Sequence, residues 1–267
     1  MAITTLDGAL AGYSPIYPYA KALSGTLVAG RPHSQFYLAG IPGAATAPTP
    51  GLAGAALTAY AGQIPIPAAS GNTHLARASF SSSAQAGNVI VYDRLWHNSG
   101  IVVTTTTAQT INSVTWPARD RNGTTNGEGV FIGLEVSGAT GAGASVISIN
   151  YTNSAGVAGR TGTALDVYAA SSAAGSFYRF ALAAGDVGVR SIQSYTSTVS
   201  MTSGTVHLVA YRPIAVIELP AAGISGVIDP VTGGLPREYD TTVASVLFIP
   251  QTTSTTQITG SIIHTQG

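Results

Sequence analysis

Five histidines, His33, His74, His97, His207 and His264, are the side chains best suited to carry protons near neutral pH or to hold a transition metal. They are scattered, with no H-x-H or H-E-x-x-H spacing, so no metal site is expected. The chain has no cysteine, which excludes disulfides and thiolate ligands. Glu128, Glu135, Asp166 and Glu218 would do glycosidase chemistry only if two of them converged. With 11 acids against ten arginines and one lysine, most of them read as turn residues or arginine partners. Serine catalysis lacks its G-x-S-x-G elbow, and Gly223-Ile224-Ser225-Gly226 misses the spacing by one residue. The only lysine, Lys21 in YPYAKALSG, has no phosphate-loop context, and ATGAGAS does not match G-x-G-x-x-G. DRNG at 120–123 looks like part of a calcium loop but lacks the remaining acidic ligands, so it reads as a tight turn. The expectation is a protein that is not an enzyme and has no cofactor.

Residues with chemical character gather instead in 92–123, YDRLWHNSGIVVTTTTAQTINSVTWPARDRNG. Asp93 and Arg94 open this segment, Arg119, Asp120 and Arg121 close it, and both tryptophans, Trp96 and Trp116, sit just inside those charges. The tryptophans read as core or rim residues of a β-sandwich, as a sugar-stacking platform, or as interface anchors beside arginines. Together with Arg31, Phe36 and Tyr37 from the preceding segment, Arg94, Trp96, Trp116, Arg119, Asp120 and Arg121 make up a candidate subunit interface.

Composition favours a contact role. Only 8% of residues are charged and the net charge is zero, against about 25% charged in an ordinary soluble protein. So neutral a chain cannot neutralise phosphates, which argues against direct nucleic-acid binding and against a polybasic membrane contact. No apolar run approaches the roughly 20 residues that span a bilayer, and MAITTLDGAL lacks the basic start of a signal peptide. With a mean hydropathy of +0.29, an isolated monomer would have poor colloidal stability, so much of its surface should be covered by partners.

The elements that must position these residues fall into two parts. Residues 1–85 are rich in Pro, Gly and Ala, and 32–76 contain no charge, so they read as an extended, irregular N-terminal arm with at most a short helical turn at 52–60. Residues 86–267 alternate strand and turn. NVIVYDRLW, IVVTTTT, TINSVTW, GVFIGLEV, ASVISINYT, GTALDVYAA, SFYRFAL, VGVRSIQSYTSTVSM, TVHLVAYRPIAVIEL and VASVLFIP are Val-, Ile- and Thr-rich runs separated by Gly and Asn turns. QTTSTTQITGSIIHTQG adds a last charge-free strand. Eight to ten such strands without an amphipathic helix predict an all-β fold, a jelly-roll or β-sandwich domain.

The phrases RPHSQFYLAGIPG, YAGQIPIP, ASGNTHLARASF, YDRLWHNSGI, NSVTWPARDRNGTTNGEGV, ISINYTNSAGVAGRTGT and AAGDVGVRSIQS together resemble structural proteins of tailed bacteriophages, over about residues 31–194. The resemblance implies a virion protein made in the host cytoplasm, with a head decoration (cement) protein on the capsid surface favoured. Such proteins are often trimers with extended arms, so the implied partners are further copies of the chain and the major capsid protein or another virion protein. A tail, neck or fibre component, or a carbohydrate- or receptor-binding module, is the alternative.

Overall fold

The computed structural model describes residues 5–23, 25–67, 71–165 and 168–267. Asp166, one of the four carboxylates weighed above, lies outside them. From the N-terminus the elements are α1 (Leu6–Ala11), β1 (Tyr17–Leu23), β2 (His33–Ser34), β3 (Gly40–Ile41), β4 (Ala55–Ala56), β5 (Thr73–Ser82) and β6 (Gly87–His97). There follow β7 (Gln109–Thr110), β8 (Phe131–Gly138), β9 (Ile147–Asn153), β10 (Arg160–Ala164), β11 (Phe177–Ala181), β12 (Val189–Ser197) and β13 (Thr205–Leu219). The chain ends with β14 (Gly226–Ile228), α2 (Pro230–Gly233), β15 (Arg237–Glu238), β16 (Ala244–Pro250) and β17 (Thr256–Gln266).

These strands form two antiparallel sheets, the all-β architecture expected of a sandwich. The smaller runs β14-β5-β17-β1-β3, with β15 also on β5. The larger runs β2-β16-β6-β13-β8-β11-β10-β9-β12-β7, with β4 also on β6. Between the sheets lies one core, in which Tyr19, Leu23, Phe80, Ile258 and Ile262 of the smaller meet Val89, Val91, Ile217, Val246 and Phe248 of the larger. A second core fills the curl of the larger sheet, where Ile132, Leu134, Ile149, Tyr151, Ile192, Tyr195 and Leu208 meet both tryptophans.

The period-two pattern explains the strands. In β9, Ile147, Ile149 and Tyr151 are buried while Ser148, Asn150 and Thr152 are half-buried. β13 is the spine of the larger sheet, paired with β6 from Val209 to Leu219 and with β8 from Thr205 to Tyr211. Pro213 falls beyond the last β8 pair, Tyr211↔Phe131, and at a register shift against β6, so its missing N–H breaks no regular ladder. The run at 101–107 is not a strand. Its Val102 is clamped instead by the Gln109 side chain, which accepts from Val102 N–H (2.8 Å) and donates to Val102 C=O (3.1 Å).

Among the described residues, the N-terminal 85 do not project as an arm. They supply β1, β3 and β5 to the smaller sheet, and residues 25–67, apart from β3, lie as a strap against the larger one, to which they add β2 and β4. The accessible surface of 10460 Å² compares with roughly 10,800 Å² for a compact chain of this mass, so no extended limb adds area. Backbone bonds stitch the strap down: Ser34 N–H to Gly175 C=O (2.6 Å), Phe177 N–H to Pro32 C=O (3.0 Å), Leu57 N–H to Leu95 C=O (2.8 Å) and Ile64 N–H to Ala244 C=O (2.9 Å). Gly54 (φ +71°) crosses the Trp96 indole so closely that a Cβ there would collide with the ring. This is why a glycine-rich segment can be ordered without regular strands. Buried Lys21 donates to the strap carbonyls of Leu38 and Gly43.

Phe36 pins the strap's centre, with Tyr60 stacked at 5.5 Å and Tyr37 edge-on at 5.6 Å. Phe36→Ala is expected to cost about 3–5 kcal/mol in urea unfolding and to open residues 25–67 to proteolysis. A loss under about 1 kcal/mol would show that the strap rests only loosely on the sheet.

Candidate functional site

Asp93 and Arg94 stand at the centre of β6, buried on opposite faces of the strand. On one face Arg119 grips Asp93 with two parallel bonds, Nε to Oδ2 (2.8 Å) and Nη2 to Oδ1 (3.0 Å). Its Nη1 donates to Leu57 C=O (2.7 Å) and to Thr241 Oγ1 (3.2 Å), and Val243 N–H donates to Asp93 Oδ1 (3.1 Å). The buried Arg212 guanidinium adds a longer contact to Asp93, 3.8 Å.

On the other face Arg94 Nη2 donates to Glu135 Oε2 (2.7 Å) and Nε to His97 Nδ1 (3.2 Å). The guanidinium lies 4.4 Å over the Phe36 ring, and Tyr37 donates its hydroxyl to Glu135 Oε2 (2.7 Å). Burial opposes ionisation of Glu135, but the Arg94 charge outweighs it and holds the carboxyl below its usual range. Burial, and then the same Arg94 charge, push His97 down to about 3, so the ring is neutral and can accept from Arg94. Burial, with a smaller push from the Arg31 charge, brings His33 down to about 4.

Most of the expected interface residues are therefore interior. Arg94, Trp96, Trp116, Arg119 and Asp120 are at most 2% exposed, and Phe36 is 1%. They cannot face a neighbouring subunit without unfolding, because their partners are segments of their own chain. Trp96 donates to Ala53 C=O (3.0 Å) and Trp116 to Val189 C=O (3.1 Å), with the two rings edge-to-face at 5.3 Å. Neither offers a face for a sugar. Arg31 is half-buried over Tyr178 (4.8 Å), and Tyr37 is half-buried on Glu135. Arg121 alone of the group is exposed, 4.0 Å from Glu128.

Asp120 organises a loop. Its Oδ1 accepts from Asn122 N–H (2.9 Å) and Thr124 N–H (2.7 Å), and its Oδ2 from the Thr124 hydroxyl (2.7 Å), Gly127 N–H (3.0 Å) and Glu128 N–H (3.3 Å). Burial opposes its charge, yet these bonds prevail and lower its pKa. Its oxygens are aimed at N–H and O–H donors and not at a cation.

Other polar pairs went unread in the sequence. His264 Nδ1 lies 2.7 Å from Glu238 Oε2, both buried, where β15 and β17 flank β5. His207 Nδ1 meets Asn98 C=O (2.8 Å) and its Nε2 meets Ser137 Oγ (2.7 Å). That pairing has the order of a serine and its base, but Ser137 lines none of the larger cavities. Asp186 accepts from Tyr151, from Arg160 (2.9 Å) and from Asn153 (2.7 Å), tying β9 and β10 to the turn before β12. Chiefly through Arg160, its carboxyl is lowered to about 2. Glu135 and Glu218 do not pair as catalytic carboxylates. Glu135 sits opposite His207 on β13, and Glu218 lies eleven residues further along that strand, roughly 36 Å away. Among the described residues no group of three or more His, Cys, Asp or Glu could hold a metal.

A groove of about 540 Å³ opens on the outer face of the larger sheet among Ile90, Phe131, Phe180, Tyr211, Pro213 and Val216, with Arg179 at its side. Comparison with protein-family models, with curated proteins and with solved structures finds no match in any of the three.

Removing one partner of a buried ion pair strands the other charge. Arg94→Met and Glu135→Leu should each cost about 3–5 kcal/mol in chemical unfolding, and the double variant should recover most of that loss. Additive losses would refute the coupling. For pH, Asp186 ionises at about 2 when folded and at about 3.9 when unfolded. Its stabilisation is complete above that unfolded value and fades as pH falls towards 2. Asp186→Asn should therefore flatten the acid limb of stability against pH, and an unchanged slope would contradict this assignment.

Proposed function

We propose that this protein is a non-enzymatic structural component of a tailed-phage virion, acting through extended contacts with further copies of itself and with another virion protein. The favoured form is a trimeric decoration protein clamping major capsid subunits at the head surface. One observation carries most of the weight: of the 21 charged side chains among the described residues, eight are buried inside the chain. A composition already poor in charge thus becomes a surface poorer still. Apolar side chains stand out on it, among them Leu6, Ile16, Leu165, Val187, Ile224 and Val231, the last 94% exposed. Such a surface favours close, dry contact and gives little electrostatic steering. The fully buried ion pairs, Arg94–Glu135 and Arg119–Asp93, hold the chain's own strands in place, which suits a building block better than a catalyst.

Analytical ultracentrifugation at low and high salt tests the assembly. The expected outcome is a discrete oligomer whose association barely changes with ionic strength, joined to heads in electron micrographs of virions carrying the labelled protein. Label on tails or fibres would move the protein to another part of the particle. A monomer at every concentration that ignores virions would end the proposal.

A further inference from the structure

Two Asn-Gly steps, Asn122-Gly123 and Asn126-Gly127, lie in the loop organised by Asp120. Asn-Gly is the peptide step most open to self-modification, because glycine has no Cβ to hinder attack by its own nitrogen on the asparagine side chain. In that reaction the glycine N–H gives up its proton, an N–Cγ bond forms, the Cγ–NH2 bond breaks and ammonia leaves. Water then opens the succinimide to aspartate or isoaspartate. Both asparagines are exposed, so only local geometry can restrain them.

Neither glycine nitrogen is free. Gly127 N–H donates to Asp120 Oδ2 (3.0 Å), and Gly123 N–H donates to the Asp120 backbone carbonyl (3.1 Å). The asparagines are tied as well: Asn122 Nδ2 donates to Glu128 Oε2 (2.9 Å), and Asn126 N–H donates to Thr124 Oγ1 (3.2 Å). Asp120 is locked in turn by its other donors from Asn122, Thr124 and Glu128.

We infer that this loop is a guarded deamidation site, in which Asp120 keeps the Gly127 nitrogen protonated and turned away from the Asn126 side chain. A hydrogen bond to a carboxylate opposes the loss of the proton that the attack requires. The closed ring of bonds also denies the nitrogen the rotation it needs to reach Cγ. Once breached at Asn122, the loop would weaken further, since that conversion places a new carboxylate beside Glu128 and like charges repel. This inference is independent of where the protein assembles.

Peptide mapping by mass spectrometry during incubation at mildly alkaline pH tests it. In the folded wild-type protein both asparagines should convert about tenfold or more slowly than in the same chain held unfolded in urea, the scale of one charge-assisted hydrogen bond. In an Asp120→Ala variant that circular dichroism shows to be folded, Asn126 should accelerate towards its unfolded rate. Asn122 should accelerate less, because its guard is a backbone carbonyl that alanine retains. Asp120→Asn, which removes the charge and keeps the size, takes the place of the alanine variant if that fails to fold, with the same order of effects expected. Equal rates in folded and unfolded wild type would overturn the guard. So would an unchanged Asn126 rate in either folded variant, or equal acceleration at both sites.

Discussion

The fold turns on a dipeptide. Asp93 and Arg94 follow one another on β6, and the strand's alternation sends one charge to each face. Burying either is costly in itself, so each is tolerable only where its partners are already placed. Asp93 requires Arg119, the amide of Val243 and, through Arg119, the carbonyl of Leu57. Arg94 requires Glu135 and the aromatic pair of the strap. Four separate stretches of chain therefore have to arrive together. The pairs need not add much net stability, but they penalise arrangements in which strap and sheet are misaligned.

Much of this was legible in the sequence at the level of class. Val-, Ile- and aromatic-rich runs marked β6, β8, β9, β11, β12, β13 and β16, with period-two burial clear in β9 and nearly continuous burial in β6 and β16, and β13 spans the whole run read as TVHLVAYRPIAVIEL. What escaped was β1 and β5, because proline- and glycine-rich surroundings mask a strand whose partners lie far away in sequence. YPYAKAL and THLARASFSS alternate well enough, but neither has a neighbouring hairpin partner to reveal it. The stretch at 101–107 misled in the opposite way, since threonine-rich propensity without a partner strand makes no ladder. The site was half-read. Scarce charges beside tryptophans drew attention to residues that form the buried ion pairs, and their burial was missed because charge is ordinarily a surface signal. Glu135 held a usable clue, a lone acid inside the apolar run GVFIGLEV. Arg212 likewise sits inside an apolar strand, between Tyr211 and Pro213.

The remaining charges continue the theme. Asp186 ties two strands to a turn, Asp120 closes its loop, and Asp229 caps the short α2 by accepting from Val231 and Thr232. At these sites electrostatics serves self-organisation, and under the proposed role recognition of partners is left to shape, backbone and apolar side chains. This division agrees with the proposed role, in which the outer surface matches neighbours and the interior holds that surface still.

The position of β17 bears on how the molecule comes into being. It lies between β1 and β5, so the middle strand of the smaller sheet is the last strand of the chain. Ser81 and Thr259, hydrogen-bonded across that sheet, are 178 residues apart in sequence. During synthesis β1 and β5 must therefore each wait with one edge open while everything between β5 and β17 is made, and Tyr19, Leu23 and Phe80 wait with them. A ribosome stalled short of residue 256 would release a sheet with a missing centre, prone to recruit the corresponding strand of another molecule. The time taken to make residues 83–255 thus sets how long that open sheet is exposed.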